Sequence, residues 1–456
     1  MRQYEPFKRL FRIGSAAILM GVITGIYGCV WNGYFNKLIE FPFWRRGNWL
    51  MIALYAGLLF FFLMTYGGFR IGYLKKGNLL CSQILSIGLL NVIAYIQISL
   101  LDKKFHDPKI LIAMTFVQLL TAIVWTFLFQ WLYRLLFPPR KMLLVCGDRP
   151  AFHLMEKINS REDKYYLAKA IHIRAGMDAI IREAQEFDAL IIGDIPAKDR
   201  NALLKKCFER DIRTYTVPKL SDILIRTSEE LDIFDSPLLL SRNEDISGMQ
   251  RFWKRALDVV CSGIGLVVLS PFFLLVALSI YLTDRGPVFY KQTRLTEGGK
   301  EFQICKFRTM IQNAEEKSGA RLASENDDRI LPIGHFLRRT RLDELPQLLN
   351  IWKGEMSLVG PRPERPELAA EIEREIPEFC YRLKMKAGLT GYAQVYGKYN
   401  TTAYDKLKLD LTYIRNYSLL LDLKLILMTP KIMMLKESTE GVTDNGKAAD
   451  SNHTSV

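Results

Sequence analysis

Two adjacent acids sit in the most charged string of this sequence, Arg338-Arg339-Thr340-Arg341-Leu342-Asp343-Glu344-Leu345-Pro346-Gln347. Neighbouring carboxylates repel each other unless positive charge joins them, and three arginines precede this pair. Taken by itself the pair reads as a helix cap, with Asp343 as N-cap of an apolar-periodic stretch (Leu345, Leu348, Leu349, Trp352) and both acids complementing the dipole. Other strings change that reading. Gly360-Pro361-Arg362-Pro363 holds one guanidinium on a backbone stiffened by two prolines, which suits a bidentate grip on phosphate. Lys306-Phe307-Arg308 and Lys386-Ala387-Gly388-Leu389-Thr390-Gly391 add cations beside turn-forming glycines. Together they suit a substrate with several phosphates and a Mg²⁺ ion, which takes one or two carboxylates plus phosphate oxygens. Phosphoryl transfer rests on positioning and charge neutralisation, so neither histidine nor cysteine is needed.

The elements that must carry these groups are unevenly built. The chain has 456 residues, 49% of them hydrophobic, with a formal net charge of +14. That hydrophobicity excludes wholesale disorder. Seven scattered cysteines, five histidines and no CxxC or HxxxH spacing argue against a zinc site or a disulfide framework. Four charge-free stretches, Ile13–Asn36, Gly47–Phe69, Gly77–Leu101 and Ile110–Tyr133, are 23–25 residues long. About 20 apolar residues cross a bilayer, so 1–137 is expected to be a four-helix transmembrane region. Ten Lys and Arg on one side of these segments against six on the other favour a cytoplasmic N-terminus and a cytoplasmic remainder.

Pro138-Pro139 ends the fourth segment. Alternating strands (Met142–Cys146, Ala168–Ile173, Ala189–Ile192, Arg213–Val217) and helices (Ala151–Ile158, Asp178–Glu186, Ala197–Arg210) then predict a Rossmann-like α/β domain over 138–247. Its first turn, Gly147-Asp148, has one glycine where a dinucleotide fingerprint needs three, which favours a structural or regulatory role. A fifth charge-free stretch, Val259–Thr283, has Ser270-Pro271 at its midpoint and basic flanks. Proline there bends or breaks a helix, so the segment is expected to re-enter the face it left, with the Ser270 hydroxyl helping to satisfy the freed backbone. The polar tail 437–456 is expected to be disordered.

From Arg251 to about Met434 the chain resembles the catalytic domain of bacterial polyprenyl-phosphate sugar-1-phosphate transferases, in the long subclass with four transmembrane helices. The matching strings are Lys254-Arg255 with Asp258, Ser270-Pro271, Gln292 with Arg294, Lys306-Phe307-Arg308-Thr309-Met310, the Leu342–Gln347 string, Gly360–Pro363 and Gly388–Gln394. Three residues depart from the usual pattern beside these motifs: Thr296 (glycine), Leu331 (threonine) and Ala387 (proline). The resemblance implies an α-rich monotopic catalytic domain over 248–436. It also implies transfer of a hexose 1-phosphate, glucose or galactose first, from a UDP-sugar to undecaprenyl phosphate with release of UMP. That step initiates exopolysaccharide, capsule or O-antigen synthesis. Asp343 would be the nucleophile, forming an aspartyl-phosphosugar, and Glu344 would hold Mg²⁺. Arg362 would grip a phosphate. Lys254, Arg255, Arg294, Lys306, Arg308, Arg338 and Lys386 would neutralise phosphates or pair within the fold. Asp258 would hold Arg255, and Asp410, Tyr413, Asn416 and Asp422 would be scaffold.

The expected partners are the UDP-sugar, undecaprenyl phosphate and membrane lipid, with downstream polysaccharide glycosyltransferases and, as an option, a second copy in a homo-oligomer. No nucleic acid is expected. The expected location is the bacterial inner membrane, with the catalytic domain cytoplasmic. Two rival readings are a non-catalytic membrane scaffold or chain-length regulator, with the acids as caps, and an ordinary glycosyltransferase that would release UDP.

Overall fold

The computed structural model describes residues 5–147, 152–233, 236–241, 246–311, 329–397 and 401–434. Turn residue Asp148 and the tail 437–456 lie outside them. The described residues divide into two compact units, one up to Lys219 and one from Leu220.

The first unit opens with the four apolar segments as helices: α1 (Lys8–Val30), α3 (Arg45–Tyr66), α4 (Lys76–Leu101) and α5 (Lys109–Leu136). A π-helical turn, Trp31–Phe35, and the short α2 (Asn36–Leu38) prolong α1. All four are long and apolar enough to cross a membrane. Their interior carries polar side chains paired with one another, since hydrocarbon offers no alternative partner. Tyr55 donates to Asn91 at 2.8 Å, Asn91 donates to Gln118 at 2.8 Å, and Thr126 donates to Gln83 at 2.8 Å.

Beyond α5 comes a four-stranded parallel sheet, β1 (Arg140–Cys146), β2 (Tyr165–His172), β3 (Ala189–Ile192) and β4 (Thr214–Thr216), ordered β2-β1-β3-β4. Helices α6 (Phe152–Asn159), α7 (Met177–Ala184) and α8 (Ala197–Glu209) supply the crossovers. Leu143 and Val145 face one buried cluster and Met142 and Leu144 another, as the two-residue period of a strand covered on both faces requires.

Residues 220–247, assigned by sequence to the middle domain, belong with the second unit. Ile223 of α9 (Leu220–Ile225) packs with Phe379, Leu407 and Leu411, and Arg415 donates to Thr227 at 2.9 Å. An antiparallel hairpin follows, β5 (Glu229–Ile233) and β6 (Ser236–Leu240).

Helix α10 (Gly248–Asp284) begins with a capping box between Ser247 and Gln250. The expected interruption at Ser270-Pro271 is not seen: the backbone stays helical through Pro271. Proline removes the N–H that would reach the carbonyl of Val267, and the Ser270 hydroxyl donates to that same carbonyl at 2.7 Å. One lost bond is replaced, and the helix continues.

The rest of the unit is a hairpin, β7 (Phe289–Leu295) and β8 (Glu301–Phe307), followed by α11 (Pro332–Thr340), α12 (Gln347–Lys353), the parallel pair β9 (Ser357–Val359) and β10 (Gly388–Thr390), and α13 (Pro366–Glu375), α14 (Tyr392–Tyr396), α15 (Ala403–Arg415) and α16 (Leu419–Met433). Its core joins α10, α12, β9 and α16 through Ile351, Met356, Val359 and Leu425, with Leu257 and Leu266 packed against them. Burying each such side chain contributes about 1.5–3 kcal/mol.

Candidate active site

Asp343 and Glu344 lie on a single 3₁₀ turn, Leu342–Glu344, between α11 and α12. Helix α12 starts only at Gln347, with no side-chain cap, so Asp343 is not the N-cap that the isolated pair suggested. The turn is entered through Arg341, which takes the left-handed conformation (φ 56°) where α11 ends. A non-glycine residue there costs about 1 kcal/mol, so strain is stored next to the acids.

Two chain segments converge on Glu344. In β8 the two-residue period places Lys306 on the face of buried Phe302 and Ile304, and its ammonium reaches Glu344 Oε1 at 2.9 Å. From the end of β9, the Arg362 guanidinium reaches the same oxygen at 2.9 Å. Burial would raise the Glu344 pKa, but the charges and hydrogen bonds of Arg362 and Lys306 hold it well below the usual carboxylate range. Glu344 in turn raises the Arg362 pKa against the effect of burial. Asp343 behaves oppositely. Burial, then the neighbouring Glu344 charge, push it up to about 6 against the pull of Lys306, Arg338 and Arg341. One acid of the pair is thus a fixed anion in a cationic clasp, while the other is ionised at neutral pH and less stabilised in that form.

The loop that carries Arg362 is held tightly. A Cβ on Gly360 would come within 2.1 Å of the Lys386 carbonyl oxygen, and one on Gly388 within 2.0 Å of the Gly360 nitrogen. Only glycine lets β9 and β10 approach this closely. Behind the loop, buried Arg382 donates to the Arg362 carbonyl at 2.9 Å and pairs with Glu364 at 3.3 Å and Asp410 at 2.9 Å. Arg294 donates to the Pro363 carbonyl at 3.2 Å and to Gln292 at 2.7 Å. Burial lowers the Arg294 pKa, and Arg365 and Arg362 lower it further, partly offset by Glu364. Arg294 and Arg382 therefore brace Arg362 from behind.

Other sequence-selected cations serve the fold. Lys254 is buried, donating to Asp422 at 2.7 Å, to the Val359 carbonyl at 2.8 Å and to Tyr413 at 3.1 Å. Arg255 caps the end of α12 through the Ile351 and Trp352 carbonyls, each at 2.7 Å, and Lys386 donates to the Gly354 carbonyl just beyond it at 2.9 Å. Asp258 does not hold Arg255; it accepts from Ser357 at 3.0 Å and from the Leu358 N–H at 2.8 Å. Arg308 forks onto Asp284 at the end of α10. These side chains are spent on internal partners, whereas Lys306 and Arg362 meet the acids directly and Arg338 acts on Asp343 by charge.

Sequence reasoning passed over Arg382 and Asn350. Asn350 ties α12 to β8, accepting from the Cys305 N–H at 2.9 Å and donating to the Gln303 carbonyl at 2.7 Å. Neither residue stands in a charged or glycine-rich string, so composition offers no signal for them. Two departures from the usual pattern answer each other: the Ala387 N–H, which proline would lack, donates to the Thr296 hydroxyl at 3.2 Å, and that hydroxyl donates to the Glu355 carbonyl at 3.0 Å.

Residues 249–436 match the model of the bacterial sugar transferase family. The Rhizobium leguminosarum exopolysaccharide production protein PSS is 41% identical over 196 residues, 41% of this chain and 96% of that protein. The chain belongs to the bacterial sugar transferase family. Two longer relatives also match part of the chain. The Aeromonas hydrophila UDP-N-acetylgalactosamine-undecaprenyl-phosphate N-acetylgalactosaminephosphotransferase is 34% identical over 262 residues, covering 56% of this chain and 59% of that protein. The Escherichia coli UDP-glucose:undecaprenyl-phosphate glucose-1-phosphate transferase is 38% identical over 202 residues, covering 43% of this chain and 42% of that protein. The matched stretch thus spans about half the length of these two bacterial sugar transferases.

Proposed function

We propose that this chain transfers a sugar 1-phosphate from a UDP-sugar to undecaprenyl phosphate and releases UMP. The observation that carries the reading is the pairing of a clasped anion, Glu344 between Lys306 and Arg362, with a more basic carboxylate, Asp343, beside it. Relatives named for glucose, galactose and N-acetylgalactosamine donors support the substrate class.

In the proposed first step, Asp343 attacks the phosphorus that bears the sugar, and the bond to UMP breaks. An aspartyl-phosphosugar remains. In the second step an oxygen of the lipid phosphate attacks the same phosphorus, forming the lipid diphosphate-sugar and freeing the Asp343 carboxylate. Both nucleophiles are anions, so no general base is required. Lys306 and Arg362 already face the acids and would take up phosphate charge as it shifts. Among the described residues no three His, Cys, Asp or Glu side chains cluster. Adjacent carboxylates in a cationic pocket instead fit a Mg²⁺ ion shared with substrate phosphates, Glu344 being the protein's ligand. Such an ion would neutralise charge across the substrate's diphosphate as UMP leaves.

With the helix unbroken, a re-entrant course for α10 would have to come from a bend at Pro271, and contacts at both of its ends favour that course. Lys254 near its start is bonded to Val359 and Asp422; Val276 and Ile280 near its end are buried with Phe307 and Leu337 of the same unit. Ile264, Val267, Val268, Leu274, Leu275 and Leu278 between and around them are exposed, an apolar strip suited to lipid. A helix that crossed fully would part its two ends to opposite sides of the bilayer. Accordingly the bacterial inner membrane, with the catalytic unit on the cytoplasmic face, is the proposed setting.

The test is nucleotide analysis of purified protein given undecaprenyl phosphate and a panel of UDP-sugars. UMP released with one sugar, and lost in Asp343→Asn and Glu344→Gln, supports the proposal. UDP as product would make it an ordinary glycosyltransferase, and unchanged release by both variants would leave the acids as structural. A cysteine placed after Arg285 should be labelled only from the cytoplasmic side; labelling from outside would mean a full crossing.

A further inference from the structure

The first unit contains an open cavity of about 290 Å³, bordered by charged and polar residues, that none of this chemistry uses. One wall is Lys75 and Lys76, where α4 begins, and Arg134 in the last turn of α5. The facing wall is Ser160, Glu162 and Asp163, in the turn from α6 to β2. Cations thus sit where apolar helices end, and the carboxylates come from a separate turn of the α/β part.

The turn is fixed in place. Lys164 lies 4.6 Å from the centre of the Tyr73 ring, and its carbonyl accepts from the Arg140 N–H at 3.1 Å. Arg161 forks onto Asp163 at 2.9 and 3.1 Å, which neutralises that acid and leaves Glu162 as the exposed carboxylate on this wall. The volume is near the lower end of the range for small-molecule pockets, roughly 300–1,000 Å³. A purely anionic ligand would meet Glu162 unfavourably, and a purely cationic one would meet three basic residues. A ligand with phosphate at its membrane end and an amine beyond it satisfies both walls.

We propose that this cavity binds the head group of a zwitterionic aminophospholipid, its phosphate against Lys75, Lys76 and Arg134 and its ammonium against Glu162. The acyl chains then lie along α4 from its start towards its middle and along the last turns of α5, where Leu89, Val92, Leu128, Trp131 and Leu135 are exposed. Basic side chains at a membrane surface each attract lipid phosphate, and the acid opposite them turns general attraction into a choice of head group.

The test uses the full chain in nanodiscs holding equal parts phosphatidylethanolamine, phosphatidylglycerol and phosphatidylcholine with matched acyl chains. Lipid retained after transfer to detergent is read by native mass spectrometry. Phosphatidylethanolamine should be retained at least about fivefold over the other two. The double variant Lys76→Gln with Arg134→Gln should lose that retention. Glu162→Gln should erase the preference over phosphatidylglycerol while still holding phosphate lipids. Unchanged helical content and elution volume show that each variant is folded. Millimolar soluble phosphoethanolamine should not displace the lipid. Equal retention of all three lipids, phosphatidylglycerol retained best, wild-type behaviour in the variants, or displacement by soluble phosphoethanolamine would each overturn the proposal, the last by placing the ligand in solution.

Discussion

The contact between Thr296 and Ala387 permits a quantitative test of how the Arg362 loop is supported. The Ala387 N–H is buried and donates to the Thr296 hydroxyl at 3.2 Å. Thr296→Val keeps the shape and removes the acceptor, leaving that N–H without a partner. A buried orphan donor costs about 1–3 kcal/mol, and the lost contact to the Glu355 carbonyl adds to it. In an Ala387→Pro background there is no N–H to orphan, so Thr296→Val should cost about 1–2 kcal/mol less. Unfolding midpoints of the four proteins of this cycle in detergent give the coupling directly. Because Ala387 adjoins Gly388, which touches Gly360, the single Thr296→Val variant should also lose UMP release before it loses fold, and the double variant should recover part of it. Effects that add to within about 0.5 kcal/mol would show that the two departures are unrelated and that the reasoning is wrong.

Other expectations follow from the same geometry. Lys306→Met and Arg362→Ala should each lower the turnover rate about 10²-fold or more and destabilise the fold less than loss of Lys254, because the other cation stays on Glu344, measured by UMP release and thermal scans. Lys254→Met should do the reverse: it leaves Asp422 buried and unpaired, costing about 3–5 kcal/mol, and should appear as loss of folded protein and not as a slower folded enzyme. The Asp343 pKa is raised to about 6 and its ionised form is the reactive one. The pH profile of kcat/KM should therefore be flat above about 6 and fall roughly tenfold per unit below it. Arg338→Gln removes a charge that pulls this pKa down, so the midpoint should move upward; a profile flat to pH 4 would contradict the role.

The chemistry was legible in the sequence where charge is crowded into short strings. Asp343, Glu344, Lys306 and Arg362 stand in such strings, and the fold brings them together because β8, β9 and α12, which follows the 3₁₀ turn, share one core. The four apolar helices and the parallel sheet were legible for a similar reason: each depends on a local hydrophobic pattern. For cations whose partners are remote, the sequence leaves phosphate binding and pairing within the fold both open. Lys254 finds Asp422 across 168 positions and Arg255 finds carbonyls 96 and 97 positions away, and backbone carbonyls carry no mark in the sequence. Arg382 was missed because its partners, Asp410, Glu364 and a carbonyl, become neighbours only once the loop is folded. A break at Pro271 does not occur because the lost hydrogen bond that a proline signals is replaced by the adjacent serine hydroxyl, which has to be seen in place.

The central claim is that Asp343 attacks the sugar-bearing phosphorus while Glu344, Lys306 and Arg362 hold the charge around it. The most direct measurement supplies a UDP-sugar labelled in its β-phosphate, omits the lipid acceptor, quenches rapidly and maps the protein-bound label. The account expects one equivalent of UMP per active site and label on the peptide containing Asp343, discharged on adding undecaprenyl phosphate and absent in Asp343→Asn. Turnover with lipid acceptor but neither a UMP burst nor labelled protein in its absence would contradict it.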